Sequence, residues 1–186
     1  KMGENEKAVT VTEMLAQLLR RSVSYRRLVS LIEEVDTVEY YLKIQSVRFS
    51  GQFVHATFFS PGLEACLVPN MILQPIVENA IIHGLQDREE GYIHIQARQE
   101  GEKQLVITVS DNGCGIPADQ LAEIRKNLES PEMSGEHLGL RNTKGILKRI
   151  WGDEADLSIR SIENVGTEVT LTLPLLLRDP EEDERG

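Results

Sequence analysis

Apolar residues recur at two different periods along this chain. Residues 10–21 carry Val11, Met14, Leu15, Leu18 and Leu19 at three- and four-residue steps, which predicts a helix with a narrow apolar stripe. Thr10 and Glu13 suit a capping box at its start. A second helix is predicted from Ser30 to about Arg48, with Ser30 and Glu33 as another such pair and Leu31, Val35, Val38, Leu42 and Ile44 as its apolar positions. From Gln52 the period shortens. Residues 52–59 are β-branched and aromatic, then broken by Pro61-Gly62, and read as a strand. Residues 92–98 and 104–110 flank Glu100-Gly101-Glu102 as a hairpin, and 111–117 form a loop at its exit. Helices follow over about 119–128 and 140–151, separated by a soft segment at 129–137. Two strands, 156–161 and 167–174, meet at a turn around Asn164-Val-Gly166. A charged tail over 178–186 is expected to be disordered. Helices interleaved with hairpin-joined strands predict a two-layer α/β sandwich, with an antiparallel or mixed sheet and helices on one face.

One stretch breaks this pattern in an informative way. Leu73-Gln-Pro-Ile-Val-Glu-Asn-Ala-Ile-Ile-His83 is an apolar run that opens after Pro69-Asn70 and stops at Gly84, so it reads as a helix with Pro75 in its first turn. Helical spacing puts Ile72, Ile76, Asn79 and His83 on one face. An amide and an imidazole thus sit on a face that is otherwise apolar, and an unpaired buried amide costs roughly 1–3 kcal/mol. Either the protein or a ligand must supply the partners. Without further motifs, a helix-interior amide bonded to backbone and a helix-end histidine near the negative pole are the simpler readings.

Composition narrows the classes. Of the 186 residues 40% are apolar and 27% charged, which describes a globular chain long enough to bury a core. A net charge of −10 offers no basic stripe to phosphates, so no nucleic-acid partner is expected. Two cysteines, Cys66 and Cys114, make no disulfide framework and suit a reducing, cytoplasmic setting. No apolar run approaches the ~18–20 residues of a membrane span, so any membrane tether is expected outside this sequence. The first residues, polar and acidic, resemble a cut edge rather than a natural start.

Three more stretches offer chemistry. Asp111-Asn-Gly-Cys-Gly115 places a carboxylate at a strand exit, where it can accept from an amino group, before two glycines that allow a tight turn and a close ligand approach. An Asx-type β-turn accounts for this motif equally well. His137-Leu-Gly-Leu-Arg-Asn142 leads into a helix, where unpaired N–H groups favour an anion. Gly166-Thr167 opens the last strand, and alone is an ordinary turn.

Together the four stretches resemble the ATP-binding domain of the GHKL superfamily, which joins histidine kinases with gyrase-like and chaperone-like ATPases and implies the Bergerat fold. Gln74-Pro-Ile-Val-Glu-Asn-Ala-Ile-Ile-His-Gly84 is more specifically similar to the L-Q-P-L-V-E-N-A box of LytS/YesM-type sensor histidine kinases. Tyr41-Leu-Lys-Ile-Gln-Ser-Val-Arg-Phe49 resembles the segment those kinases carry just upstream. The resemblance runs from about Leu28 to Leu175. It implies a catalytic domain over 28–177, with 1–27 a remnant of the dimerisation and phosphoacceptor helices. It also implies roles by position. Asn79 would hold Mg²⁺ bridging the phosphates of ATP, with Glu78 helping to order that site and His83 facing the nucleotide. Asp111 would accept from the adenine amino group, with Thr167 supporting it directly or through a water. Gly113, Gly115 and Ile116 would line the base and sugar. Gly139, Leu140 and Asn142 would close over the phosphates, with 129–137 as a short lid.

Two positions depart from the family pattern. Ile82 stands where a basic residue often precedes the equivalent of His83, and His137 replaces the first glycine of the G-x-G-L box. The superfamily's hydrolases carry a water-activating glutamate four residues before the magnesium asparagine; here that position is Pro75, which cannot take a proton. The resemblance therefore implies phosphoryl transfer to a histidine rather than hydrolysis, for relay to a response regulator. The family's acceptor lies in a context like P-H-F-L-Y-N. None of His55, His83, His94 and His137 does, so the chain is expected to bind ATP without phosphorylating itself. His55 and His94, alternating along strands, read as surface or sheet residues. A homodimer is implied for a full-length protein. The alternatives are a GHKL-type ATPase or clamp, an anti-sigma-type serine kinase and a nucleotide-free dimerisation module.

Overall fold

The structure, a computed structural model, describes residues 27–49, 52–86, 88–129 and 138–177. The helix predicted over 10–21, most of the expected lid, His137 and the tail lie outside these residues. In order come β1 (Leu28–Ser30), α1 (Leu31–Arg48), β2 (Phe53–Phe59), β3 (Leu67–Pro69), α2 (Gln74–Asn79), β4 (Gly91–Glu100), β5 (Gln104–Asp111), α3 (Ala118–Glu129), α4 (Leu138–Trp151), β6 (Asp156–Ile162) and β7 (Gly166–Pro174).

Helix α1 starts where its capping box predicts. Glu33 N–H donates to Ser30 Oγ, and the Glu33 carboxylate accepts in return from Ser30 N–H at 2.8 Å. It buries Leu31, Val35, Val38 and Leu42, while Ile44 is only half-buried. Sequence periodicity gave no sign of β1 and β3, three residues each, which pair antiparallel with Leu28 opposite Pro69. Such short strands carry too few residues to show a period of two.

Five strands form one sheet in the order β2-β4-β5-β7-β6. All neighbours run antiparallel except β2 and β4, which are parallel. A parallel pair needs a crossover, and here the connection from Phe59 to Gly91 carries β3 and α2. Alternate residues, among them Ile93, Ile95, Ile107, Leu157 and Leu171, are fully buried under the helices. This is the expected two-layer sandwich. No described helix is long and apolar enough to cross a membrane.

Helix α2 does not end as an ordinary helix. After Asn79 the backbone widens into a π turn over Ala80–Gly84, with Leu85 N–H reaching the Ala80 carbonyl at 3.0 Å. Ile72, Leu73, Ile76, Val77 and Ile81 bury its apolar side.

Candidate functional site

The C-terminal half of α2, the exits of β5 and the starts of β7 and α3 enclose a cavity of about 240 Å³. Strand register explains part of it: Asp111, last in β5, stands opposite Thr167 in β7. One Asp111 oxygen, Oδ1, accepts from Gly113 N–H at 2.8 Å and from Thr167 N–H at 3.3 Å. The described residues make no hydrogen bond to the other oxygen. Burial pushes the carboxyl above its ordinary range, against the opposing pull of those two N–H groups.

The Thr167 hydroxyl belongs to a chain of hydrogen bonds. Ser161 Oγ accepts from Ile116 N–H at 2.9 Å, lies 2.8 Å from the Gly166 carbonyl and 2.9 Å from Thr167 Oγ1. A serine has one proton. If it goes to the carbonyl, Thr167 must donate to Ser161, and its remaining lone pairs are acceptors. Asp111 and Thr167 then form an acceptor pair, suited to an amino group.

Close backbone approach joins the two halves of the site. A Cβ on Gly113 would fall 2.3 Å from the Gly84 carbonyl oxygen, and Cys114 N–H donates to that oxygen at 2.9 Å. The end of α2 and the loop after β5 therefore interlock through two glycines. Arg88 ties the same loop to the β6–β7 turn, donating to the carbonyls of Gly113 and Asn164. Gly115 has φ +64° and lies against the Ile162 carbonyl, where a Cβ would come within 2.0 Å. Gly115→Ala is expected to destabilise the fold by at least about 2 kcal/mol, the left-handed backbone alone costing roughly 1–2. Urea denaturation measures it, and an unchanged midpoint would contradict the packing.

Of the residues predicted for the site, Asn79, His83, Asp111, Gly115, Ile116, Leu140 and Thr167 all line this one cavity. Asn79 Nδ2 is buried and has no hydrogen-bond partner among the described residues. Gly139 is beside it rather than in the wall: a Cβ there would lie 3.4 Å from Pro75 and 3.8 Å from Asn79 Nδ2. Three others lie away from the cavity wall. Gly113 meets the Gly84 backbone instead of the cavity. Asn142 is exposed, because residues two apart on a helix point in opposed directions and Leu140 takes the inward one. Glu78 turns away as well; its carboxylate accepts from Gln74 Nε2 at 2.8 Å on the flank facing α1. There the Tyr41 hydroxyl is pushed up to about 12, by burial first and then by the Glu78 charge. Ile82 is exposed and outside the cavity wall.

Sequence reasoning missed the rest of the apolar wall beside Ile76, made of Val109, Ile124, Ile159 and Val169, and two polar rim residues, Cys114 and Gln120. Strand alternation marks the valines and Ile159 as inward, but only the tertiary fold says that they face a void. The Cys114 thiol donates to the His83 carbonyl at 3.0 Å. Among the described residues no group of three or more His, Cys, Asp or Glu side chains could hold a metal by itself. A divalent cation here would have to take most of its oxygens from a ligand and water, as Mg²⁺ bound with phosphates does. The orphan Asn79 Nδ2 calls for an acceptor such as a phosphate oxygen, and the oxygen of the same carboxamide is the atom that could hold the cation.

Residues 69–177 match the family of histidine kinase-, DNA gyrase B- and HSP90-like ATPases, and residues 1–53 match a histidine kinase family. The chain is 34% identical over 173 residues to the sensor protein LytS of Staphylococcus saprophyticus, covering 92% of this chain and 29% of that protein. It is equally identical over 172 residues to the sensor protein kinase HptS of Staphylococcus aureus, covering 90% and 32%. It therefore spans about a third or less of the length of these curated relatives. Among solved structures it is similar to the catalytic domain of the histidine kinase ThkA, with a TM-score of 0.60, 19% identity, and coverage of 81% of this chain and 97% of that one. The mycobacterial sensor histidine kinase MprB gives a TM-score of 0.56 at 18% identity, with 81% and 98% covered. At these identities the structural likeness speaks to the fold.

Proposed function

The chain belongs to the histidine kinase-, DNA gyrase B- and HSP90-like ATPases, as the ATPase domain of a LytS-type histidine kinase, and from that premise we propose that it binds Mg²⁺–ATP and transfers the γ-phosphoryl group to a histidine. One observation carries the reading: Asp111 and Asn79, far apart in sequence, line the same cavity. Asp111 accepts from the adenine amino group through its second oxygen, with Thr167 as the neighbouring acceptor. Val109, Ile159 and Val169 exclude water from the base. Asn79 reaches the phosphates and holds Mg²⁺ through its amide oxygen, with the N-terminus of α4 close by at Gly139. The bound cation would neutralise phosphate charge and align the chain for in-line attack.

The acceptor in this proposal is a histidine, not water. Asp111 is the only carboxylate lining the cavity among the described residues, and it sits at the base end. Pro75, where the superfamily's hydrolases place their base, packs near Gly139 and has no proton acceptor. Residues 28–177 form the catalytic unit in this reading, with residues 1–27 left from the phosphoacceptor region. The histidine lies on a homodimeric helical region outside this sequence, relays to a response regulator, and belongs to a cytoplasmic portion of a membrane-anchored bacterial sensor. The chain alone is expected to bind ATP more tightly with Mg²⁺ than without, and to label a separately supplied acceptor fragment from γ-³²P-ATP. Nucleotide bound with no label transferred, and inorganic phosphate released instead, would overturn the transfer reading.

A further inference from the structure

Among the described residues Glu34 is the only acidic side chain that is buried, at 0% exposure. It lies in the first turn of α1, yet its bonds go to the turn ahead of α2. Oε2 accepts from Met71 N–H at 2.8 Å and Oε1 from Leu73 N–H at 2.9 Å. Both donors are unusual. Met71 has φ +59°, a left-handed conformation that a non-glycine residue keeps only when its surroundings impose it. Leu73 is the N-cap of α2 and supplies no side-chain cap of its own. Glu34 therefore caps α2 from a different helix. Its charge lies at the positive poles of both α1 and α2, and its oxygens are matched by backbone donors, which is how a carboxylate survives full burial.

Helix α2 is short: six α-helical residues before the π turn. A helix of that length does not hold its own direction in water. Its orientation comes from its attachments: the buried side chains of Leu73, Ile76 and Val77 and, as the polar contact at the N-terminal end, Glu34. Asn79 is the last residue of the α-helical part, so a change in the tilt of α2 moves the carboxamide within the cavity. Asp111 is held separately, by its register in the sheet and by the Gly113 and Thr167 amides.

We propose that Glu34 is a positioning residue for the phosphate end of the site, holding α2 through the Met71 and Leu73 amides so that Asn79 reaches the metal-bound phosphates. It touches neither nucleotide nor cation, and the inference rests on the Mg²⁺–ATP reading above. In Glu34→Gln one oxygen still accepts, but an NH₂ group now faces the other backbone N–H. The dissociation constant for ATP in Mg²⁺ should rise about tenfold, while that for adenosine, held at Asp111, stays within about twofold. In the nucleotide-free protein the Asn79 side-chain amide resonances should shift while the backbone amides of Val109 and Thr167, in the sheet, stay in place. Val38→Ala removes a fully buried side chain from the same helix and serves as the control. It should lower the melting temperature without changing the ratio of the two affinities. Equal losses for ATP and adenosine in Glu34→Gln, or the same ratio change in Val38→Ala, would reduce Glu34 to a purely structural role and overturn the proposal. So would unchanged binding in Glu34→Gln. Failure of the unaltered chain to bind ATP would instead remove the nucleotide reading itself, and the positioning role with it.

Discussion

Asp111→Asn is expected to weaken ATP binding about a hundredfold while leaving the protein as stable as before or more so. The substitution preserves shape, and its amide oxygen can still take the N–H groups of Gly113 and Thr167. What changes is the second position, where an acceptor becomes an NH₂ donor facing another donor. A mismatched buried polar contact costs roughly 1–3 kcal/mol, with charged groups above that range, and 1.4 kcal/mol is a factor of ten. The sign on stability follows from the proton. Burial raises the folded-state pKa of Asp111 above 3.8, so the native protein holds this proton more tightly than the unfolded chain. As pH rises through the window between the unfolded and the folded value, stability falls, and asparagine abolishes that slope. Binding has the opposite slope. An amino group favours the ionised carboxylate, so adenosine affinity should increase as pH rises through the folded pKa and level off above it. Calorimetric titration across pH, with thermal melts of both proteins, tests the pair. Undiminished affinity in the variant would place the base elsewhere.

Asn79→Ala is expected to remove the Mg²⁺-dependent part of ATP affinity and to lower transfer to a supplied acceptor by about 10²–10³-fold, the usual effect of deleting one preorganised charge-stabilising group. Adenosine affinity should not move. Nor should the fold suffer: Asn79 Nδ2 is buried without a partner, so no internal hydrogen bond at that atom is lost, and alanine is the best helix former. The melting temperature should hold or rise. A residue kept at some expense in stability is one expected where a ligand completes its bonding. If ATP binding in the variant still responds to Mg²⁺, the cation is held by other groups and the assignment of Asn79 fails.

Much of this site could be read from residue order because its determinants are local. The α2 face follows from three- and four-residue spacing, and Ile76, Asn79 and His83 do reach one cavity. Asp111 and Thr167 could be placed at strand ends, and the sheet register brings them opposite each other. What residue order does not carry is direction and distant pairing. Glu78 and Asn142 sit one and two residues from positions that face the cavity, and one residue of helix turns a side chain by about 100°. The role of Gly113 depends on Gly84, which meets it only in the folded chain. Nothing around Glu34 in the sequence announces the amides of Met71 and Leu73 that it binds. The π turn has no compositional mark either.

The parallel alignment of β2 with β4 has a kinetic consequence. Seven residue pairs, from Phe53–Gly91 to Phe59–Ala97, can form only after the intervening chain has crossed the sheet, and that chain includes α2. Contacts of such long sequence separation form late, after the hairpins of β4–β5 and β6–β7. The β5–β7 pairing that sets Asp111 opposite Thr167 spans a longer stretch still, so both ends of the cavity are completed after the hairpins that border it. On refolding, adenosine binding and the response to Mg²⁺ should both lag behind the formation of the hairpins.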